Sequence, residues 1–224
     1  MSRKPLMLAL PLILCAGLAY SHGDAVPQAV NTAGLPELPE VGVENPWREA
    51  EDDVRIKAFE IGAKGYNSNC ARCHGLEGIS GGLAPDLRFL EATDFGDEWY
   101  LDRVMNGYEQ NGAVKMPPFG DIFTPQAVWA IRVYIETLPD ADEVSDRESE
   151  LAAFQEKVKG VTEGTDPAEV SALVEELNTA GDSFAALSGG EQSVTVLHRA
   201  AHLIEVNPAR GSAAADLIAA EIAK

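Results

Sequence analysis

The run Cys70-Ala71-Arg72-Cys73-His74 is where residue types and spacing in this sequence carry the most definite chemistry. Two thiols at this spacing can add to the two vinyl groups of one haem, and the adjacent imidazole then lies under the iron. Three other uses of the same residues compete: a disulfide, a thioredoxin-like redox pair, and half of a zinc site. A zinc site lacks a second Cys/His pair of suitable spacing. A thioredoxin-like pair lacks its strand–helix–strand setting, because no strand pattern of any length is present. The expectation is therefore one covalently attached haem c. Covalent attachment lessens the need for a large apolar pocket, so a small helical domain suffices.

A sixth iron ligand can be sought by elimination. Beyond the first 21 residues the chain has two methionines, Met105 and Met116, and three histidines besides His74: His22, His198 and His202. Met105 follows Leu101 by one helical turn and reads as a core residue. Met116 lies in Lys115-Met116-Pro117-Pro118-Phe119. Two successive prolines fix φ and bias their neighbours toward extended backbone, which makes a stiff strap. Met116 is thus the expected axial partner of His74. A His/Met pair raises the reduction potential and suits electron transfer. Without that bond the haem would be five-coordinate, and the alternative function is a gas or peroxide sensor or enzyme.

The elements that must position these residues read as helices. Val54, Ala58, Ile61 and Gly65 share one helical face leading into the Cys70 turn. A second helix is expected between Asp97 as N-cap and Gly107. A third should start at Thr124-Pro125, a cap followed by a first-turn proline, and stop before Pro139. Residues 22–49 are rich in proline and glycine and read as an extended arm. Residues 50–139 then form the haem domain. Residues 140–224 have few aromatics, and helix starts are expected at Ser145…Glu148, Asp166-Pro167…Glu169 and Ser188…Glu191, with a last helix over 212–222. The polar, proline-marked junction 138–143 makes this tail a separable helical extension of unknown role. Its helices can bury their stripes on one another or on a partner.

Residues 1–21 read as a secretory signal peptide. Arg3 and Lys4 precede an apolar run over 6–18, and Ala19-Tyr20-Ser21 offers small residues for cleavage near Ser21. The run is shorter than the roughly 20 residues of a membrane span. A lipoprotein role for Cys15 is disfavoured by the bulky Leu14 before it. Export puts the protein in the periplasm, with no membrane span in its mature form. Residues 22–224 hold 36 acidic and 15 basic side chains, a net charge of −21, of which −11 falls on 140–224. Such a field disfavours nucleic acid and anionic membranes. It serves solubility, or steering toward a basic partner.

Residues 22–138 resemble the class I c-type cytochromes. Within them the chain is similar to the cytochromes c-550 that accept electrons from quinoprotein (PQQ) ethanol dehydrogenase. The resemblance rests on the segment His22-Gly23-Asp24-Ala25-Val26-Pro27, on Tyr66-Asn67-Ser68-Asn69 before the Cys70 motif, and on Gly81-Gly82-Leu83-Ala84-Pro85-Asp86-Leu87-Arg88. Met116-Pro117-Pro118-Phe119 and Ala127-Val128-Trp129 extend it. Cytochromes serving lanthanide methanol dehydrogenases are similar too, so the donor's alcohol stays open. The resemblance implies an all-α class I cytochrome c fold, here with an additional C-terminal appendage. It implies that the Pro85 carbonyl accepts the Nδ1 proton of His74 and that Leu87 packs on the haem. Arg88 meets a propionate or stays exposed.

The function expected is single-electron carriage, not enzymatic catalysis. A PQQ-dependent alcohol dehydrogenase would be the donor, and a downstream cytochrome or terminal oxidase the acceptor. Three further patterns carry little. Leu187-Ser188-Gly189-Gly190-Glu191-Gln192 resembles an ABC-ATPase signature, but no phosphate-binding Gly-x-x-x-x-Gly-Lys-Ser/Thr accompanies it. His198 and His202 are spaced for one helix face without a metalloprotease glutamate, and His22 is a terminal residue.

Overall fold

The computed structural model describes residues 26–190 and 194–224. The expected signal peptide, Cys15, His22 and Glu191 lie outside the described residues. The chain is helical, as anticipated, and α4 (Pro125–Glu136) is its central element. Every residue of α4 after Pro125 is buried. A helix apolar on all sides must be covered on all sides. Here α1 (Asp52–Asn69) packs along it. Gly62 makes that contact close: a Cβ there would stand 1.9 Å from the carbonyl oxygen of Ala130. The start of α4 is the one read from sequence, since the Thr124 hydroxyl accepts from the Ala127 N–H at 3.2 Å.

Helix α3 (Asp94–Asn106) lies against another side of α4 and ends at Gly107, φ 73°. Its cap is Thr93, whose hydroxyl accepts from the Gly96 N–H. The expectation of Asp97 as N-cap is thereby corrected. Asp97 sits one turn further in and is wholly buried. Its carboxylate accepts from Arg132 Nε at 2.7 Å, from Arg48 and from the Asn45 N–H at 3.0 Å. Glu136 completes the cluster, accepting from Arg48 and from the Asn45 amide at 2.9 Å each. Within the expected arm, the described residues 26–49 are therefore more than an arm: Asn45 and Trp47 are buried, and Trp129 donates its indole N–H to the Val41 carbonyl.

The sequence expectation of no strands is corrected too. β1 (Tyr108–Gln110) and β2 (Ala113–Met116) form an antiparallel hairpin, turned by Asn111-Gly112. Strands of three and four residues are too short to declare themselves by alternation. The Asn-Gly pair, both at positive φ, was the available signal.

Beyond Pro139 come α5 (Ala141–Asp146), α6 (Glu148–Lys159), α7 (Pro167–Asp182), α8 (Val196–Val206) and α9 (Gly211–Ile222). Asp166 caps α7 as expected. Ser145 does not cap: Asp140 starts α5 earlier and draws Ser145 into it. Ser188 does not cap either, because its hydroxyl donates to the Glu136 carbonyl, and Thr195 caps α8 instead. Helices α6 to α9 close over their own core, with Leu151, Leu177, Leu197, Ile204 and Ile218 at its centre. This core is distinct from the two clusters around α4. The tail nevertheless rests on the first unit. Arg199 stacks 4.7 Å from the Phe59 ring centroid, Lys224 pairs with Glu77, and the Ala92 N–H donates to the Ser188 carbonyl at 3.0 Å.

Candidate haem site

Helix α1 runs almost directly into a single helical turn, α2 (Ala71–His74). The amides of Cys73 and His74 both donate to the Cys70 carbonyl at 3.0 Å. Cys70, Cys73 and His74 therefore stand at positions i, i+3 and i+4, which share one helical face. Both thiols are unpaired, Cys70 half-buried and Cys73 exposed, so the disulfide reading is not realised. Burial pushes the Cys70 thiol up to about 12, with Cys73 adding to it.

His74 is buried, and its Nδ1 lies 2.9 Å from the Pro85 carbonyl oxygen. A carbonyl can only accept, so Nδ1 carries the proton and Nε2 keeps its lone pair for a metal. Burial lowers the His74 pKa against the opposing pull of Pro85, which favours the neutral, ligating ring. The Pro85 segment is itself held. The Asp86 carboxylate accepts from the Arg88 N–H at 3.1 Å, and the buried Arg132 guanidinium donates to the carbonyls of Leu90 and Glu91. Gly75 turns the chain sharply away after His74. It has φ 82°, and a Cβ there would collide with the Ile79 carbonyl at 1.8 Å. Tyr66 donates its hydroxyl to the Gly75 carbonyl at 2.8 Å and fixes that turn.

The hairpin supplies another wall. Its register passes from Tyr108↔Met116 to Glu109↔Val114, leaving Lys115 as an extra residue. Such a bulge re-aims side chains. Lys115 and Met116 consequently both line the cavity. Met116 is thus placed by a strand end as well as by Pro117-Pro118. The Phe119 N–H, bonded to the Val104 carbonyl at 2.8 Å, ties the strap to α3.

Cys70, Cys73, His74, Pro85 and Met116 line one cavity of about 830 Å³. That is the size of a cofactor site. Unpaired thiols at helical spacing, an imidazole with one nitrogen committed, and a thioether in the same cavity suit a covalently attached haem. Leu87 is buried in the core beside Tyr66 and Tyr100 and does not line the cavity. Arg88 does not line it either. Its guanidinium forms a two-point pair with Asp86, at 3.1 and 2.8 Å, and borders a smaller cleft against the tail. The guanidinium expected to meet a propionate or stay exposed is here held by Asp86. Sequence reasoning missed Trp99, Arg103 and Tyr108, which do line the cavity. Arg103 lies between the Trp99 and Tyr108 rings, at 5.4 and 4.9 Å. The i, i+4 spacing of Trp99 and Arg103 was a usable signal. His198 is committed within the tail, to Thr195 at 2.8 Å and Asp182 at 2.9 Å. Among the described residues no three His, Cys, Asp or Glu side chains converge as a metal site.

Residues 57–135 match the family model described as cytochrome c oxidase, cbb3-type, subunit III. Cytochrome c550 of Pseudomonas aeruginosa is 50% identical over 135 residues, covering 59% of this chain and 91% of that protein. Two enzymes of Pseudomonas putida match over shorter stretches. Quinohemoprotein alcohol dehydrogenase ADH-IIG is 40% identical over 78 residues, 35% of this chain and 10% of the enzyme. Quinohemoprotein alcohol dehydrogenase ADH IIB is 36% identical over 76 residues, 34% of this chain and 10% of the enzyme. No solved structure matches significantly. With half of the aligned residues identical across nearly all of cytochrome c550, and the thiol, imidazole and thioether groups gathered in one cavity, the chain belongs to the class I c-type cytochromes, haem c electron carriers of the cytochrome c550 kind.

Proposed function

We propose that this chain is a periplasmic single-electron carrier, and not a catalyst, in which Cys70 and Cys73 hold the haem by thioether bonds and His74 and Met116 are its axial ligands. The observation that supports this most is that all four residues line one cavity. Haem c, when bound, supplies an iron centre that gains or loses one electron without rearranging bonds. The residues around it do the rest. The Pro85 carbonyl holds the His74 proton on Nδ1 and fixes the ring angle. Met116 would offer the iron a thioether where a small ligand could otherwise bind. Phe119, buried, gives the cavity an apolar wall.

The donor in this reading is a PQQ-dependent alcohol dehydrogenase, and the acceptor a downstream cytochrome or oxidase. Two quinohemoprotein alcohol dehydrogenases contain a segment of haem-domain length similar to this chain. We read that segment as the haem-bearing part of those enzymes, a fused counterpart of a free carrier. No helix among the described residues is long and apolar enough to cross a membrane, which accords with a carrier that diffuses. The purified protein should hold one haem that survives acid–acetone extraction. Its ferrous Soret band should not move under carbon monoxide. A carbon monoxide shift would mean an open position, and the sensor or enzyme reading would replace this one.

Residues 140–224 form a separable unit in this proposal, since their apolar core shares no buried residue with the clusters around α4. Ending the chain after Pro139 should leave the visible spectrum in place while partner binding or oligomeric state changes. Loss of haem in that variant would show that the contacts of Arg199 and Lys224 belong to the haem unit.

A further inference from the structure

We propose that the tail positions the proximal haem ligand: the turn Ser188-Gly189-Gly190 pins the far end of the segment that carries Pro85, and through that segment fixes the ring angle of His74. The proposal rests on the reading of His74 as an axial ligand. It gives residues 140–224 a role in that site without contact with it, since no tail residue lines the haem cavity.

The segment begins at Pro85, whose carbonyl oxygen lies 2.9 Å from His74 Nδ1, and ends against the start of α3. Each of its last three residues has a backbone group taken. The Leu90 and Glu91 carbonyls accept from Arg132, a residue of α4. The Ala92 N–H donates to the Ser188 carbonyl at 3.0 Å, a bond that only the tail supplies. Ser188 is buried, and its hydroxyl serves two more backbone groups. It donates to the Glu136 carbonyl and accepts from the Gly190 N–H at 3.1 Å. Glu136 ends α4, where a helix leaves carbonyls without helical partners. Ser188 thus ties the end of α4 to the end of the Pro85 segment and is a positioning residue for His74.

This geometry also accounts for the two glycines of a motif that phosphate chemistry does not explain. Gly189 has φ 72°, in the left-handed region, and its N–H donates to the Ala186 carbonyl at 3.0 Å. A Cβ on Gly190 would stand 2.9 Å from the Ala92 Cβ and 3.3 Å from the Glu136 carbonyl oxygen. The turn is seated between the two groups that it joins, with no room for a side chain. A second grip falls on the other side of Pro85. Glu77, three residues past His74, holds φ 55° without being glycine, and its carboxylate pairs with Lys224. Both side chains are partly exposed, so this is the weaker grip.

The full-chain holoprotein carries the test. Ser188→Ala removes the hydroxyl bridge, and Gly190→Ala drives a methyl group against Ala92. In both, exchange of the Ala92 amide in deuterated water should quicken by about tenfold or more. The midpoint potential should rise. A carbonyl that holds the Nδ1 proton makes the imidazole a stronger donor and favours ferric iron, so a looser Pro85 gives up part of that preference. The rise should stay within a tenfold change of the redox equilibrium, about 59 mV. The haem methyl proton shifts of the ferric protein follow the plane of the axial imidazole and should change their spread, while the Soret and far-red bands stay. Leu177→Ala is the control: it opens the tail's own core. It should lower the tail's stability and leave the potential and the methyl shifts as they are. Parental potential and methyl shifts in both turn variants would overturn the proposal, whether or not the Ala92 amide is released. So would a Leu177→Ala protein that moves them as far as Ser188→Ala does. Failure of the ligand reading shows in the parent chain alone, as a ferric protein without the proton resonances of a coordinated imidazole.

Discussion

Met116→Ala removes the weak far-red band of the sulfur–ferric bond and lowers the midpoint potential by well beyond about 59 mV, the tenfold step for one electron. The direction follows from the ligand. A thioether is a soft, uncharged donor that favours ferrous over ferric iron, and its loss removes that preference. The size follows from how firmly the strap is held. Met116 ends β2, two prolines follow it, and Phe119 is bonded back to α3. No other side chain in the cavity lining offers a sulfur except Cys70 and Cys73. Met105→Leu keeps both properties, because Met105 packs among the core residues and does not line the cavity. Visible spectroscopy and redox titration of the two variants decide the matter. If Met105→Leu is the variant that loses the band, the ligand assignment is wrong.

How much of this was legible in the sequence follows from the range of each interaction. The Cys70 motif, the Thr124 cap and the stripe of α1 are local, and each is encoded within one or two helical turns. The fold class followed from them. Asp97 was misread because it has the residue type of a cap, while its partners Asn45, Arg48 and Arg132 lie 52, 49 and 35 residues away. The hairpin was missed because its strands are too short for period-two counting. Arg88 was read toward a propionate by family likeness, and Asp86, two residues before it, is a second partner that the sequence placed at hand. Ser145 and Ser188 fit the capping pattern, but competing starts at Asp140 and Thr195 prevailed. The cavity lining shows the same divide. Its motif residues were readable, and Lys115 was not, because the bulge that brings it to the cavity depends on pairing across the hairpin.

The buried charge cluster should be the most sensitive point of the fold. Asp97→Asn is expected to cost about 3–5 kcal/mol, the range for breaking a buried ion pair. For a chain of this size that is a fall of roughly 6–20 °C in Tm. Arg132 is wholly buried and donates Nε to Asp97 at 2.7 Å, while Glu136 stands at 3.6 Å. An amide at 97 leaves that guanidinium without its nearest countercharge and leaves two arginines facing one carboxylate. Arg48, partly exposed, can turn toward water, but Arg132 cannot. Glu136→Gln should cost less. Burial raises the Glu136 pKa against the pull of Arg132 and Arg48, so the fold tolerates its neutral form better than the unfolded chain does. A carboxyl raised in the folded state contributes stability below its unfolded value and loses it as pH rises through the folded value. The functional consequence runs through Arg132, which also holds the Leu90 and Glu91 carbonyls just past Pro85. Asp97→Asn should therefore loosen the segment that orients His74, and the ferrous haem should begin to bind carbon monoxide before global unfolding. Denaturant titration of the holoprotein, read by tryptophan emission and by the Soret band, measures both effects. A loss below about 1 kcal/mol, the worth of an exposed pair, would mean that water reaches Arg132 and that the cluster does not brace the haem site.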